Sequence, residues 1–343
     1  MHNIRLASRL FSIAKVYSGV LSQREKALYG NAILVYHGVV DRVNNSPLDT
    51  YFIDYKTFEK QIVFIRSKYE IVPLSSIVNA FFSGGDVSSR LIAITFDDAL
   101  VSQIDLAGDL LSKYSIPWAI SIPVGLVGSE RSLWSYELPL IVFRCWNRDS
   151  IPVPYSCDDG YLPARSGKDK LVAFSKIRNY LQCCSGAEIL SYVDRLIEYI
   201  GVDNYIEALT GYKRFNIASW EQIHTLYCNG VEILSHGWHH LPFNNSLSHD
   251  EIVKEICASR KEIKRRLQFS PSCFVYPHGC FHENAQSVLE LAGYSCALTT
   301  YPSWISRCDN RFKVPRIDCE YPLSILRNHI IESSKRSNTN NSN

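Results

Sequence analysis

Two short stretches of the chain contain residue types that can bind a metal ion or transfer a proton. One is the acidic pair Asp97 and Asp98, which ends an apolar segment. The other is the H-x-x-x-H motif from His236 to His240, which follows a second apolar segment. Two imidazoles and one carboxylate are the ligands that a catalytic zinc ion uses when it keeps one position open for water. Because a spare carboxylate beside such a set can act as the base, the pattern predicts metal-assisted hydrolysis.

Both stretches lie where predicted strands end. Apolar strands alternate with helical patterns along the chain, which predicts parallel strands joined by crossover helices. In α/β barrels the carboxyl ends of the strands meet at one rim, and catalytic residues lie there. His37 follows the predicted strand 32–36, and Pro277-His278-Gly279 follows the predicted strand 273–276. We therefore expect four strand ends to bring ionisable or metal-ligating side chains to the same rim.

Length and composition narrow the class of protein. The chain has 343 residues, and its 46% content of hydrophobic residues is enough for a large core. A net charge of +2 gives no support for nucleic acid as a partner. No apolar run of about 18 residues is present, so we expect no membrane-spanning helix. The eleven cysteines lack a C-x-x-C motif, which favours reduced thiols. Together with the lack of an export signal, this predicts a cytoplasmic protein.

Three parts of the chain depart from the alternation of strands and helices. Residues 1–30 are predicted to form an amphipathic helix, which either contacts an anionic membrane surface through residues 1–20 or packs on the domain like an ordinary surface helix. Residues 128–217 are predicted to be a mainly helical insertion, which serves as a lid or substrate platform or only packs against the rest. The polar tail, residues 331–343, is predicted to be disordered.

The chain resembles the polysaccharide deacetylase (NodB-homology) family. The motifs that carry the resemblance lie within residues 32–128 and 217–320, and they are Thr95-Phe96-Asp97-Asp98, Ser235-His236-Gly237-Trp238-His239-His240, Phe274-Val275-Tyr276-Pro277-His278-Gly279, Ala292-Gly293-Tyr294-Ser295-Cys296-Ala297-Leu298-Thr299 and Val314-Pro315-Arg316-Ile317. The resemblance implies an α/β fold, a distorted (β/α)₇ TIM-like barrel over residues 31–330 that contains the insertion. It also implies a divalent metal, usually zinc.

The resemblance further implies a role for individual residues. Asp98, His236 and His240 would hold the metal, and Asp97 would be the general base. The backbone N–H of His278 would bind the oxyanion of the tetrahedral intermediate.

The identity of the general acid is inferred from a variant of the family's motifs. Some relatives place the acid histidine in an early Tyr-His pair, which Tyr36 and His37 match. The alternative is that His37 only makes a structural hydrogen bond near the barrel mouth. Arg316 would keep the base ionised, because Val275 stands where many relatives have an arginine. Ala99 stands where relatives commonly have glycine, and we therefore expect no positive φ at this position.

Aromatic residues near the motifs are candidates for contact with a sugar ring. Trp238 lies inside the second motif, and Trp134 and Tyr136 lie in the insertion. The alternative is that these side chains belong to the core, where aromatic residues are more often found.

The expected reaction is removal of N-acetyl (N-acyl) groups from amino sugars of a polysaccharide or a lipid-linked glycan. The basic N-terminal segment and the lack of an export signal favour a lipid-linked intermediate of surface-polysaccharide biosynthesis, at the inner membrane face. Two alternatives remain open: a metal-dependent amidase or deformylase that acts on a non-sugar amide, and a catalytically silent carbohydrate-binding relative. The complete set of ligands and base argues against the silent relative.

Overall fold

The structure is a computed structural model, which describes residues 30–44, 46–84, 90–154, 160–307, 309–327 and 330. Apart from residue 30, the predicted N-terminal helix lies outside these residues, and so does the predicted disordered tail. Within the described part of the chain, no helix is long and apolar enough to cross a membrane.

Short strands and helices alternate along the described chain. The strands β1 to β12 are Ala32–Tyr36, Gly38–Val40, Phe52–Asp54, Glu70–Ile71, Leu91–Phe96, Ala119–Ile122, Ser150–Pro152, Tyr161–Pro163, Glu232–Ser235, Cys273–Val275, Cys296–Leu298 and Ile317–Asp318. The helices α1 to α11 are Tyr55–Lys68, Leu74–Phe82, Asp109–Lys113, Trp134–Leu140, Gly167–Leu181, Gly186–Ile200, Val202–Gly211, Trp220–Cys228, His249–Val253, Ser259–Leu267 and Ala285–Ala292. Stretches of π-helix adjoin α3, α4, α9 and α10 at Gln103–Gly108, Ile141–Cys145 and Lys254–Ala258, and 3₁₀ turns occupy Pro47–Asp49, Lys213–Phe215 and Pro277–Gly279.

A parallel sheet forms the centre of the fold. Its strand order is β11-β10-β9-β6-β5-β1-β12, and β4 pairs with β5 beside this path. Val314, just before β12, forms a parallel bridge with Leu298 of β11 and so links the two edges of the sheet. Seven strands thus curl into a distorted barrel surrounded by helices, which confirms the predicted (β/α)₇ fold class.

Alternate residues of each strand face either the barrel interior or the surrounding helices. Ile33, Ala93 and Leu234 belong to a small buried cluster inside the barrel, while their neighbours pack in the larger cluster under the helices. Counting in steps of two from these interior residues reaches His37, Asp97 and His236. Because alternate residues of a strand face the same side, all three side chains are directed toward the mouth of the barrel.

The segment 128–217 is mainly helical. It contains α4 to α7 and the antiparallel pair β7 and β8. Helix α4 is buried along its whole length, from Trp134 to Leu140. The segment therefore contributes to the core beside the barrel mouth. Its delimitation as a separate insertion stays a prediction.

Candidate active site

Asp97 lies at the end of β5 and is held by Arg316. Arg316 Nη1 donates to Asp97 Oδ1 over 2.9 Å, and Nη2 donates to Oδ2 over 2.7 Å. The hydroxyl of Ser121 also donates to Oδ1, over 2.8 Å. Burial alone would raise the pKa of Asp97, but Arg316, together with His236 and His37, outweighs burial and lowers the pKa to about 2. Asp97 is therefore a buried carboxylate that stays ionised at neutral pH.

Three other groups converge next to Asp97. The ligand atoms of Asp98, His236 and His240 all lie within 4.8 Å of one another. Asp98 Oδ1 is 3.3 Å from His236 Nε2 and 3.2 Å from His240 Nε2. All three residues are buried, and Asp98 Oδ1 has no hydrogen-bond partner among the described residues. One carboxylate oxygen and two imidazole nitrogens, each able to donate a lone pair to a metal ion, thus lie close together at the barrel mouth.

The imidazoles are in a state that suits a metal ion. His236 Nδ1 lies 2.8 Å from the carbonyl oxygen of Val275. Because a carbonyl only accepts, Nδ1 must carry the proton, and Nε2 then presents its lone pair to the cluster. Burial lowers the pKa of His240, which keeps its ring neutral. A buried carboxylate oxygen without a hydrogen-bond partner, flanked by the Nε2 atoms of two imidazoles, fits a divalent cation.

The loop between the two histidines is shaped by the buried carboxylate of Glu255. Glu255 accepts hydrogen bonds from the backbone N–H groups of Trp238, over 2.8 Å, and of His239. Gly237 has a φ of +78°, and a Cβ there would meet Glu255 Oε2 at 2.5 Å. The glycine of the motif is therefore required by both backbone conformation and space. His239 Nδ1 lies 3.2 Å from Glu255, and so this ring is engaged outside the three-residue cluster.

Asp98 has a further partner that sequence reasoning missed. The hydroxyl of Tyr136, on α4, donates to Asp98 Oδ2 over 2.5 Å. This bond orients the carboxylate so that Oδ1 faces the two imidazoles. Tyr136 was expected as a sugar-stacking candidate, but it is only 2% exposed. Trp134 is similarly buried at 1% and donates to the carbonyl oxygen of His240, so neither ring offers an open stacking surface.

Tyr136→Phe is expected to weaken metal affinity about 10- to 100-fold, because partners that orient metal ligands contribute about this much. At saturating metal, kcat should change little. Zinc titration of the wild-type and variant proteins measures the affinity, and Tyr205→Phe is a matched control, since its hydroxyl donates to Glu137 instead. Equal zinc affinity in the Tyr136 variant and wild type would contradict this assignment.

His37 is paired with a carboxylate from the other end of the domain. Its Nδ1 lies 2.7 Å from Glu320 Oε1, and its backbone N–H donates to the same oxygen. Burial alone would lower the pKa of His37, but Glu320 outweighs it and raises the pKa to about 10. Gln103 Nε2 donates to the backbone carbonyls of both His37 and Asp97 and ties the two strand ends together.

Sequence reasoning missed Glu320 and Gln103. Glu320 lies two residues beyond β12, so the strand-end rule that found His37 could have found it. Gln103 lies in a helical segment and carries no such signal.

His278 joins the site, whereas Trp238 stands apart from the cluster. The ring of His278 lies 4.7 Å from that of His240 and 5.2 Å from that of Trp134, measured between centroids. Burial lowers the pKa of His278 well below its usual value, so its ring is neutral. The indole of Trp238 packs over Gly125 and lies 6.4 Å from the ring of His239.

The backbone at Ala99 contradicts the expectation from its side chain. Ala99 has a φ of +54° and Asp98 one of +81°. The expectation of no positive φ at Ala99 was therefore wrong. Left-handed conformation costs a non-glycine residue about 1–2 kcal/mol. Tertiary hydrogen bonds offset that cost, because the Ala99 carbonyl accepts from Ala218 N–H over 2.8 Å and Leu100 forms a bridge with Ile217.

Comparison with known proteins finds a family similarity over part of the chain. The sequence model of a family described as Polysaccharide deacetylase matches residues 198–297. This range contains His236, His240 and His278, whereas Asp97 and Asp98 precede it. A comparison with curated protein sequences found no match.

Solved structures share the fold at low sequence identity. They include the Streptococcus pyogenes deacetylase PplD in complex with acetate (14% identity, TM-score 0.55, 89% of this chain and 97% of that chain). IcaB from Ammonifex degensii is similar (16%, 0.56, 89% and 98%), as is a de-N-acetylase from Aggregatibacter actinomycetemcomitans (16%, 0.52, 87% and 99%). The solved structures thus show that the chain has this barrel fold, and its residues 198–297 are similar to the polysaccharide deacetylase (NodB-homology) family.

Proposed function

We propose that this chain is a metal-dependent hydrolase that removes N-acetyl (N-acyl) groups from amino sugars of a polysaccharide or lipid-linked glycan. The observation that carries the proposal is the convergence of Asp98, His236 and His240 beside an ionised Asp97. These three residues would hold the metal. Zinc is the proposed ion, because two imidazoles, one carboxylate and an open position are its usual catalytic ligand set.

Asp97 is proposed as the general base. A divalent metal held by Asp98, His236 and His240 would supply Lewis acidity, which would polarise the amide carbonyl and lower the pKa of a water molecule. Asp97 takes a proton from the attacking water, and Arg316 prepares it for this in two ways. The bidentate pair keeps the carboxylate ionised, and it also fixes the direction of both oxygens.

Two further groups complete the proposed reaction. Attack of water turns the planar amide carbon into a tetrahedral centre with a negatively charged oxygen, for which the backbone N–H of His278 is the proposed donor. The C–N bond then breaks, and the amine nitrogen must gain a proton. His37 is the proposed acid, since its raised pKa keeps it protonated at neutral pH. The products are the acid, acetate for an acetyl group, and the free amino sugar.

Glu320→Gln is expected to shift the pH profile of kcat/KM. His37 must be protonated to act as the acid, so activity falls as pH rises through its pKa. Glu320 raises that pKa. Removing its charge should therefore move the alkaline limb toward lower pH by about one unit or more. Rate measurements across pH check this, with Glu290→Gln on α11 as an exposed control. An alkaline limb that stays in place would argue that His37 is not the acid.

The substrate class is tested by product release. Zinc-loaded protein should release acetate and free amine from N-acetylglucosamine oligomers, and formamides and cyclic imides should remain intact. Hydrolysis of only these small amides would instead identify an amidase or deformylase. Release of neither product from any compound, with ligand binding retained, would identify a silent carbohydrate-binding protein.

We also propose that the natural substrate is a lipid-linked intermediate of surface-polysaccharide biosynthesis at the cytoplasmic membrane face. The proposal rests on the basic, amphipathic pattern of residues 1–20 and on the family's activity on N-acetylated glycans. Comparison of rates on lipid-linked and free oligosaccharides tests it. Activity on free oligosaccharides alone, by a protein that does not bind anionic vesicles, would overturn it.

A further inference from the structure

Arg178, near the C-terminal end of α5, reaches the proposed active site from the segment 128–217. Its guanidinium donates to the hydroxyl of Tyr51 and lies 5.9 Å from the centroid of that ring. The Tyr51 ring lies 5.4 Å from the ring of His37 and 6.3 Å from that of Tyr136. Tyr51 is therefore the side chain that stands between the guanidinium and the proposed acid.

The charge of Arg178 lacks the carboxylate partner that other arginines around the site have. Arg316 is paired with Asp97, Arg214 with Asp49, and Arg131 with Glu137 and Asp194. In the described part of the chain, no carboxylate lies within 4.0 Å of the Arg178 guanidinium. Its hydrogen bond to a neutral hydroxyl leaves further N–H donors available to a ligand.

Arg178 lies on a helix that is capped and packed against the rest of the protein. Helix α5 begins with a capping box between Ser166 and Asp169, and its inner face buries Ala173, Ile177 and Leu181. Arg178 comes directly after the buried Ile177 in the chain, and its side chain is half-buried. A charge held this way is suited to recognition.

We infer that Arg178 binds an anionic group, a carboxylate or a phosphate, which the substrate carries next to its N-acyl sugar. A guanidinium matches both groups with two parallel hydrogen bonds. The inference rests on the proposed function, because it takes the barrel mouth as the glycan site. A neutral N-acetylhexosamine would leave this half-buried cation without an anionic partner, whereas an acidic glycan or a sugar phosphate would neutralise its charge.

The test compares three substrates that differ in charge: neutral N-acetylglucosamine oligomers, the same sugar joined to a uronic acid, and N-acetylglucosamine 1-phosphate. Arg178→Gln should lower kcat/KM about tenfold to a hundredfold for the preferred anionic substrate, the effect of losing charge-assisted hydrogen bonds. Its kcat/KM on neutral oligomers should fall much less, so that the ratio of anionic to neutral kcat/KM drops by most of that factor. Arg178→Lys should recover part of the loss. Lys176→Gln removes an exposed charge from the same helix and should change neither rate.

Binding measurements separate this inference from the proposed function. Calorimetry with zinc-loaded protein should show that wild type binds one of the two anionic sugars more tightly than the neutral one, and that Arg178→Gln abolishes the preference. The preferred anion identifies the source of the charge. No preference in wild type, or a preference that survives the substitution, would overturn the inference. Arg178-dependent binding without turnover of any substrate would instead overturn the proposed function and leave the inference standing.

Discussion

Asp97→Asn is expected to lower kcat by about 10²- to 10⁴-fold, the usual contribution of a general acid or base. Asparagine has nearly the same shape as aspartate but cannot accept the proton of the attacking water. The metal should stay, because Asp97 lies outside the cluster formed by Asp98, His236 and His240. Steady-state rates and the zinc content of the purified variant check the two halves of this prediction.

The control for this variant is Asp105→Asn. Asp105 is exposed on the π-helical turn that follows β5, and its loss of charge should leave both rate and zinc content unchanged. Folding of the Asp97 variant is checked by its thermal transition, since its buried partner Arg316 loses an ionic bond. An Asp97→Asn enzyme that is folded, zinc-loaded and fully active would remove Asp97 from the mechanism.

His236→Ala is expected to abolish stable zinc binding and activity together. The substitution deletes one of three converging donors, and it should cost more than the about 10- to 100-fold that loss of an orienting partner costs. Zinc per protein after dialysis, together with kcat/KM, measures the effect. Treatment of wild type with a chelator should reproduce the loss, and added zinc should restore activity to wild type but not to the variant.

His239→Ala is the matched control for this prediction. His239 lies in the same loop, but its ring faces Glu255 and takes no part in the three-residue cluster. The control should therefore keep its zinc. Two outcomes would contradict the proposed metal centre: an unchanged zinc content in His236→Ala, or full activity of wild type after complete removal of metal.

Tertiary contacts determined the hydrogen-bond partners and the backbone conformation of the predicted site residues. Tyr136 and Asp98 are 38 residues apart, and Glu320 and His37 are 283 apart, so neither pair follows from local periodicity. Tyr136 was expected to stack on a sugar ring, but because α4 packs beside the barrel mouth, it is buried and donates a hydrogen bond to Asp98. The positive φ of Ala99 has the same origin, because distant backbone partners outweigh a local preference of about 1–2 kcal/mol.

The sequence by itself determined the fold class and the place of the chemistry. Apolar strands that alternate with helices predicted parallel strands joined by crossover helices, and the resemblance of the motifs to a known family implied the barrel. The period of two along a strand directs His37, Asp97 and His236 toward the mouth of that barrel. These inferences need only the order and spacing of residues within single elements. Only the tertiary structure decided the pairing of Glu320 with His37, the hydrogen bond from Tyr136 to Asp98, and the approach of Arg178 to the site. The physical reason is that electrostatic tuning depends on distances of a few ångströms between elements far apart in the chain, which packing alone sets.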